Sequence, residues 1–258
     1  MIRALWSAAS GMGAQQLKVD VTANNISNVN TPGFKASRVE FQDVFYAYLR
    51  PPNDPDHLLQ VGHGAMPSAT IRQFTPGILE QTGEDLHLSI EGRGFFQVRD
   101  DRTGTIQYTR DGTFRPDQDR RVVTADGRPL LSTTGTITLP PDAVEVTISS
   151  DGMVSARLSD GDARELGRLQ LATFANPAGL EAIGQNAYLA TPASGQALNQ
   201  WPGQGQGGLV RQGFIERSNV ELIEEIVGLM TAQRAYELNS KVVHSADEMM
   251  GLANNLRR

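Results

Sequence analysis

The chain has 258 residues, among them 23 basic and 29 acidic side chains, and its formal net charge is -6. Since a domain holds roughly 150 residues, this length predicts one or two domains with room for a buried core. The acidic balance argues against a general nucleic-acid binder, which needs a basic face. Because cysteine is absent, thiol catalysis, cysteine-ligated zinc, iron–sulfur clusters and disulfides are excluded. No apolar run reaches the roughly 20 residues that are needed to cross a membrane, so no membrane-spanning segment is expected.

The N-terminal residues are predicted to form a helix with one apolar seam. Residues 1–28 contain no proline, although Gly11 and Gly13 each weaken a helix by about 1 kcal/mol relative to alanine. Apolar or small residues recur at alternating steps of three and four, the spacing of a coiled-coil seam, with Gln16 as the polar interruption. The seam positions are Ile2, Leu5, Ala9, Met12, Val19, Ala23 and Ile26.

A second helix is predicted after Ser218–Glu221, a capping box whose side chains can satisfy free backbone donors at a helix start. No proline follows, and at 1.5 Å per residue the helix would extend over about 57 Å. One heptad position holds Leu222, Leu229, Tyr236, Val243 and Met250, and its neighbour holds Ala235, Val242, Met249 and Leu256. Partner helices in this chain and in neighbouring chains are the favoured interpretation. Packing on the chain's own β domain is the alternative.

The middle of the chain is predicted to form short antiparallel strands. Asp-Gly pairs at 111–112, 126–127, 151–152 and 160–161 are typical of tight hairpin turns and are flanked by strand-forming residues. We therefore expect an antiparallel sandwich or barrel from about Gln73 to Thr191.

The predicted fold class is α+β, with long terminal helices that pair as a coiled-coil stalk and a central antiparallel β-rich body. A proline-rich loop at 50–55 and a glycine-rich loop at 203–208 flank this body. The predicted domains are a terminal helical domain (1–34 and 212–258), a connecting segment (35–72 and 192–211) and a β-rich domain (73–191).

No catalytic, cofactor or metal site is predicted. Residues 203–208 contain the letters of a dinucleotide-binding loop, but such a loop follows a strand and opens a helix, and this one precedes the strand-like Leu209–Val210. It is interpreted as a linker. The four histidines share no metal-ligand spacing, and Asp117–Asp119 lacks the glycine and distal glutamate of a calcium loop. The chain is therefore not expected to be an enzyme.

Two polar clusters have no such chemical interpretation. The first cluster ends at Phe34. It is either an elaborate helix stop or a joint that sets how the chain leaves the helix. Both interpretations rest on asparagine, which caps helices, and on glycine, which supplies unusual φ angles. Its joint residues are Asn24, Asn25, Asn28, Thr31, Pro32, Gly33 and Phe34. The second, Gln233–Ser240, places polar residues among seam positions, where they either fix the register of a helix pair or are solvated.

These clusters resemble the N- and C-terminal signatures of bacterial flagellar rod and hook proteins. The matching segments are 24–35 in the first signature, 218–227 and 233–241 in the second, and 92–98 and 108–114 in the family's β body. The opening residues 1–16 are most similar to the distal-rod branch of this family. The resemblance runs nearly from end to end.

The resemblance implies a structural polymer without cofactors. In this family the terminal helices form the inner coiled-coil layer of a helical tube, and the β body forms its outer layer. Subunits are exported unfolded by the flagellar type III apparatus, without a cleaved signal peptide. The implied partners are further copies of the chain, other rod subunits, the hook protein and the surrounding ring proteins. The expected role is that of a distal-rod subunit in the drive shaft that carries motor torque across the periplasm to the hook.

Two alternatives stay open. Within the family, the chain could be a proximal-rod or hook-type protein, although a hook protein usually has an additional outer domain that 258 residues hardly accommodate. From another class, it could be a secreted β-rich binding module on a helical oligomerisation stalk. That module needs an aromatic-lined cleft, whereas aromatic residues make up only 6% of the chain.

Overall fold

The computed structural model of the protein describes residues 2–49 and 59–255. The predicted helix at each end and the β-rich body between them are confirmed. The chain divides into two compact units. The helical unit takes its residues from 1–27, 37–73 and 220–258, and the β unit takes its residues from 28–36 and 74–219.

The helical unit contains α1 (Ile2–Ser27) and α2 (Leu222–Asn255), which pack against each other. Small side chains are buried on both helices, among them Ala14 on α1 and Ala232 on α2. A Cβ atom added at Gly11 would lie 3.0 Å from Nδ2 of Asn239. The two helices therefore approach closely because glycine and alanine occupy the surface between them.

The two glycines of α1 provide a matched test of this packing. No atom lies within 4 Å of a Cβ added at Gly13, so we expect Gly13→Ala to stabilise the chain by up to about 1 kcal/mol through helix propensity. Gly11→Ala offers the same gain in propensity but requires the Asn239 amide to move, so its net gain should be smaller. Urea unfolding followed by far-UV circular dichroism measures the difference. Equal gains from both variants would contradict the close approach at Gly11.

A long two-stranded antiparallel ribbon completes the helical unit. Its strands are β1 (Ser37–Asp43), β2 (Tyr46–Leu49), β3 (Leu59–Gly62) and β4 (Ala65–Arg72). Strand β1 pairs with β4 and β2 pairs with β3, and the Val44 amide donates to the Gly64 carbonyl at 3.0 Å between the two pairs. Gly64 has a φ of +104°, and a Cβ there would lie 2.0 Å from Oγ of Ser10, so only glycine lets the ribbon lie against α1 at this point. The predicted proline-rich loop lies outside the described residues.

The β unit is built from short strands and one 3-10 turn at Pro177–Gly179. The strands are β5 (Leu79–Gln81), β6 (Leu88–Glu91), β7 (Phe95–Arg99), β8 (Ile106–Thr109), β9 (Arg115–Pro116), β10 (Val122–Val123), β11 (Leu131–Ser132), β12 (Gly135–Thr136), β13 (Ala143–Ile148), β14 (Met153–Leu158), β15 (Ala163–Arg168), β16 (Leu171–Thr173), β17 (Glu181–Gly184), β18 (Ala187–Leu189), β19 (Leu198–Gln200), β20 (Leu209–Gln212) and β21 (Phe214–Glu216).

All the strand pairs of the β unit are antiparallel within the described residues. The largest sheet has the order β17-β18-β8-β7-β16-β19, and a second has the order β13-β14-β15. The remaining sheets are the pairs β9-β10, β11-β12, β6-β20 and β5-β21. The last two pairs join residues 209–216 to the start of the β unit. Together with the pairing of β19 and β16, they place 192–219 in the β unit, whereas the contacts of β1 and β4 with α1 place 37–73 in the helical unit. The segment predicted to be a connection, 35–72 and 192–211, is thus divided between the two units.

Strand β7 separates two hydrophobic clusters. Since successive strand side chains point to opposite faces, Phe96 joins the larger cluster and Phe95 the smaller one. Phe96 meets Phe114 edge to face at 5.3 Å, and Phe95 meets Phe174 in the same way at 5.7 Å. The β unit therefore has a core on both faces of its central strand.

Three of the four predicted Asp-Gly hairpin turns are confirmed. Gly127, Gly152 and Gly161 have φ angles of +83°, +84° and +90° at turns between neighbouring strands. The hairpin predicted at Asp111–Gly112 is wrong. A Cβ at Gly112 would lie 1.5 Å from the carbonyl oxygen of Leu88, so this glycine is needed for a close backbone approach instead of a turn.

Candidate functional site

The predicted seam of α1 lies beside the fully buried face of the helix. The buried residues of α1 are Ala8, Ala14, Thr22 and Asn25. Ala8 and Asn25 each come directly before a predicted seam residue. Because one residue corresponds to a rotation of about 100° around a helix, they lie on a different side of α1 from the seam. Of the predicted residues, Ile2 is 69% exposed, Ala9 is exposed, and Leu5, Met12, Val19 and Ile26 are half-buried. Ile2 and Ala9 are therefore available to another molecule, and the other four side chains are available only in part.

On α2 the predicted residues flank the packed face. Leu222 and Tyr236 are exposed, whereas Leu229, Val243 and Met250 are half-buried. The fully buried residues are Ala232 and Ala246, which lie between the two predicted heptad positions. In the neighbouring heptad position Val242 and Met249 are exposed, and Leu256 lies outside the described residues.

Helix α2 also has a second apolar surface, which the sequence analysis missed. We call it the outer face of α2. It consists of Ile223, Ile226, Val227, Met230, Leu238 and Leu252, all of them exposed. Met230 lies two residues from the buried Ala232, about 160° around the helix. A helical-wheel projection of the sequence contains this signal, which heptad counting from Leu222 does not detect.

The first joint residues end α1 and connect it to the ribbon. Asn24 and Asn25 belong to the last turns of α1, and Asn25 is buried. The Asn25 Nδ2 donates to the Ser37 carbonyl at 2.8 Å and to Oε1 of Glu225 at 2.9 Å, and its Oδ1 accepts from the Ser37 amide at 2.9 Å. Asn25 therefore links α1, β1 and α2 within the helical unit.

The remaining joint residues belong to the β unit. The Thr31 Oγ1 donates to Oδ1 of Asn28 at 3.2 Å, and the Pro32 carbonyl accepts from Nδ2 of Asn186 at 2.9 Å. Gly33 has a φ of +68°, and a Cβ there would lie 2.5 Å from the amide nitrogen of Asp111. Phe34 is buried. This part of the motif is thus a turn held tightly in the β unit, in addition to a helix stop.

Three charged side chains far apart in the sequence meet inside the β unit, and we call them the buried ionic triad. They are Lys35, Arg110 and Glu216, with side chains only 0%, 4% and 0% exposed. The Glu216 Oε1 accepts from Nζ of Lys35 at 2.5 Å and from the Gly77 amide at 2.8 Å, and its Oε2 accepts from Nη1 of Arg110 at 3.1 Å. Lys35 also donates to the Thr75 carbonyl at 2.7 Å.

Further hydrogen bonds, one between backbone groups and two from the Asn219 side chain, strengthen the connection made by the triad. The Gly33 amide donates to the Glu216 carbonyl at 2.7 Å. Asn219 accepts from the Ala36 amide at 2.8 Å and donates to Oγ1 of Thr75 at 2.8 Å. The triad and these bonds hold the turn at 31–36, the segment at 75–77 and the end of β21 together.

Electrostatics make the triad a sensitive point of the fold. Burial lowers the pKa of Lys35 below its ordinary value, and the negative charge of Glu216 opposes that shift. Burial likewise lowers the pKa of Arg110, again opposed by Glu216. Removing the partner of a buried ion pair leaves an uncompensated charge, which is strongly destabilising.

Sequence reasoning assigned no role to the triad. Lys35 closes the first resembling segment, but Arg110 and Glu216 were not singled out. Lysine, arginine and glutamate are mostly exposed residues, so their types do not indicate burial. The one local signal is the position of Lys35 between Phe34 and Ala36, both of which are buried.

The structure describes no arrangement suited to metal chemistry in residues 2–49 and 59–255, where no group of three or more His, Cys, Asp or Glu side chains could hold an ion. Neither described helix is long and apolar enough to cross a membrane. The loop at 203–208 lies between β19 and β20 and is closed by a hydrogen bond from the Gly203 amide to the Gly208 carbonyl at 3.0 Å. It does not open a helix, as a dinucleotide-binding loop does.

Comparison with known proteins identifies the family. The chain matches the family "Flagella basal body rod protein" over residues 5–35 and "Flagellar basal body rod FlgEFG protein C-terminal" over 211–256. It also matches "Flagellar hook protein FlgE/F/G D1 domain" over 89–156. These ranges include most of α1, the whole of α2, the joint motif and much of the β unit.

Several full-length relatives are named flagellar basal-body rod protein FlgG. The one from Borreliella burgdorferi is 44% identical, with 100% of both chains covered. That from Agrobacterium fabrum is 41% identical over 98% of both chains, and that from Bacillus subtilis is 39% identical over 100% of both. The predicted family is thereby confirmed: the chain belongs to the FlgG family of flagellar basal-body rod proteins.

Proposed function

We propose that this chain is a distal-rod subunit that polymerises through its two terminal helices into a helical tube, and that the tube carries motor torque across the periplasm to the hook. The partners in this proposal are further copies of the chain, other rod subunits, the hook protein, the surrounding ring proteins and the flagellar type III export apparatus. The proposal includes a coiled-coil stalk formed by α1 and α2, and export without a cleaved signal peptide.

The observation that carries the proposal is the presence of two apolar faces on α2. One face packs on α1 through Ala232 and Ala246, so it is already used within the chain. The outer face leaves Ile223 79% exposed and Leu238 62% exposed. Each large aliphatic side chain gains about 1.5–3 kcal/mol when it is fully buried. Ile223, Ile226, Val227 and Met230 follow one another at helical spacing, and such a contiguous apolar set marks an interaction surface. Leu238 and Leu252 lie further along the same side, among the charged Arg234, Lys241 and Glu248.

Helix α1 supplies a second exposed surface of the same kind. Ile2 and Trp6 are 69% and 70% exposed, and the predicted seam residues continue from them along α1. Contact between the outer face of α2 in one copy and this surface of α1 in the next would be heterologous. Heterologous contacts that do not close into a ring produce open helical filaments, which is the assembly the proposal requires.

A photo-crosslinking experiment tests the assembly. Benzoylphenylalanine is introduced at Leu238 in cells that make this chain as their distal-rod protein, and basal bodies are isolated and irradiated. We expect crosslinked ladders of the chain itself. The control position is Thr103, an exposed residue in the turn between β7 and β8. Crosslinks from Leu238 to other proteins only, or equal ladders from both positions, would contradict assembly through the outer face.

A further inference from the structure

The four Asp-Gly pairs of the chain, at 111–112, 126–127, 151–152 and 160–161, have a chemistry of their own. The amide nitrogen of such a glycine can attack the carboxyl carbon of the aspartate side chain, and the carboxyl hydroxyl then leaves with the amide hydrogen as water. Water opens the resulting five-membered ring at either carbonyl, which gives back aspartate or gives isoaspartate, whose backbone runs through the side-chain carboxyl carbon. The reaction requires a protonated carboxyl that can turn toward the next amide, and a glycine that can move.

The structure prevents this reaction at Asp111 and Gly112. Oδ1 of Asp111 accepts from the Thr113 amide at 2.9 Å and from the Thr113 Oγ1 at 2.7 Å. Gly112 is buried against the Leu88 carbonyl, whose oxygen lies 1.5 Å from the position of an added Cβ. Neither the carboxylate nor the glycine can therefore move unless the surrounding structure opens.

Asp151 and Gly152 are restrained in a similar way. The Asp151 carboxylate accepts from the Ser149 hydroxyl, and from Nη2 of Arg168 at 3.2 Å. The hydrogen bond from Ser149 is the main cause that holds the pKa of Asp151 below its ordinary value, so this carboxyl is rarely protonated. Gly152 is buried, and a Cβ there would lie 2.8 Å from Cγ of Pro202. We therefore expect little reaction at this pair.

The other two pairs lie at exposed turns with open space beside the glycine. Among the described residues, apart from its chain neighbours, no atom lies within 4 Å of a Cβ added at Gly127 or at Gly161. The Gly127 amide donates to the Thr124 carbonyl at 3.0 Å, and the Gly161 amide donates to the Leu158 carbonyl at 3.0 Å. Each amide must leave one such turn bond before it reacts, so this requirement does not distinguish the two pairs.

The two exposed pairs differ in what holds the carboxylate. Oδ2 of Asp126 lies 3.8 Å from Nη2 of Arg128, and this ion pair favours the charged form and restrains its direction. Asp160 is exposed, and its carboxylate forms no hydrogen bond or ion pair with any residue of 2–49 or 59–255. Of the four aspartates, Asp160 is thus the freest to turn toward the next amide.

We propose that Asp160 is a site of spontaneous modification, at which aspartate converts to isoaspartate as the folded chain ages, and that the fold selects this position over the other three Asp-Gly pairs. Formation and opening of the ring release and take up one water molecule, so the product has the same mass as the parent chain. The inference concerns the turn between β14 and β15 and does not depend on the proposed polymer.

The modification should leave the fold intact. Isoaspartate adds one methylene group to the backbone at the tip of the β14–β15 hairpin. The hydrogen bond closest to the tip that joins its two sides is donated by the Leu158 amide to the Asp162 carbonyl at 2.9 Å. Its loss still leaves the strand pairing that begins at Arg157 and Ala163. We therefore expect the modified chain to stay folded.

Ageing of the full-length chain tests the proposal. The protein is kept for several weeks in mildly acidic buffer, in which more carboxyl groups are protonated, and its peptides are analysed by mass spectrometry with electron-transfer fragmentation. We expect about two- to fivefold more isoaspartate at 160 than at 126, the effect of one exposed ion pair. The yield at 160 should be at least about tenfold larger than at 111 or 151, where the structure must open first. Equal yields at 126 and 160, a larger yield at any other pair, or no isoaspartate at 160 would overturn the proposal.

Two comparisons show whether the fold selects the site. Arg128→Gln removes the ion pair from Asp126, so isoaspartate at 126 should rise toward the level at 160, which should not change. In urea the unfolded chain should form isoaspartate at similar rates at all four pairs. An unchanged yield at 126 in Arg128→Gln, or a preference for 160 that persists in urea, would overturn selection by the fold. Asp160→Glu confirms the assignment of the product, because its longer side chain does not form the five-membered ring.

Discussion

Met230→Asp is expected to abolish motility and leave truncated rods, while the subunit is still made, folded and exported. Met230 lies on the outer face of α2 and is 47% exposed in the single chain. If this face is buried between copies, the aspartate would be an unpaired charge in an apolar contact, which is expensive to desolvate. Within the chain the substitution costs little, because Met230 points away from the surface that packs on α1.

The matched control is Gln233→Asp, which adds the same charge at an exposed, already polar position one turn further along α2. We expect normal swimming and full-length rods from it. A second comparison, Ala232→Asp, puts the charge on the buried face and should destabilise the subunit itself. Swimming plates, electron microscopy of basal bodies and immunoblots of exported protein distinguish the three variants. Full-length rods built from Met230→Asp would show that the outer face is not an assembly surface.

Glu216→Gln is expected to destabilise the chain by about 3–5 kcal/mol, because Lys35 is then buried without its counter-charge. Lys35→Met should cost less, since Glu216 keeps Arg110 and the Gly77 amide as partners. The double variant should be more stable than Glu216→Gln alone, because it removes the unpaired charge. If the two single effects simply add, Lys35 and Glu216 are not energetically coupled.

A surface pair supplies the control for this series. Glu80 and Arg217 form an ion pair at 3.5 Å with both side chains about half exposed, so Glu80→Gln should change stability by no more than about 0.5 kcal/mol. Urea unfolding is followed by the fluorescence of Trp201 in the β unit. Trp6, the other tryptophan of the chain, is replaced by phenylalanine in every variant.

The pH dependence of Glu216→Gln gives a readout specific to Lys35. Without Glu216, burial and the Arg110 charge both lower the Lys35 pKa, whereas the unfolded chain keeps the ordinary value of 10.5. At a pH between the Lys35 pKa of the folded chain and that of the unfolded chain, the unfolded state binds more protons. The free energy of unfolding therefore rises with pH in this range. The loss of unfolding free energy in Glu216→Gln, relative to the parent chain, should therefore be smaller at about pH 9 than at about pH 7. The double variant, which has no Lys35, should lack this trend, and an equal trend in both would exclude Lys35 as its source.

Local features of the sequence predicted local features of the fold. The α1 helix follows from a proline-free segment with helical spacing, and it ends at Ser27, within the asparagine cluster. The turns at Gly127, Gly152 and Gly161 follow from the positive φ angles that Asp-Gly pairs tolerate. The rod and hook family was also recognised from contiguous motifs, because such motifs can be read without knowing which parts of the chain meet.

The sequence did not reveal which face of each helix would be used within the chain. Heptad counting identified apolar residues on α2, but it could not separate the face that packs on α1 from the outer face. That choice depends on close approach at positions such as Gly11 and Ala232, where small side chains let the helices meet. Packing, and not hydrophobicity alone, decided it.

By itself the sequence determined the helices, most of the tight turns, the β-rich middle and the family, because propensity, periodicity and motifs act over a few neighbouring residues. Only the tertiary structure brought Lys35 to Glu216 across 181 residues, and Arg110 to Glu216 across 106. It also decided that Gly112 serves a close backbone contact instead of a hairpin. Such contacts depend on how distant strands pair, and the energy that makes a buried charge tolerable comes from partners that no local pattern specifies.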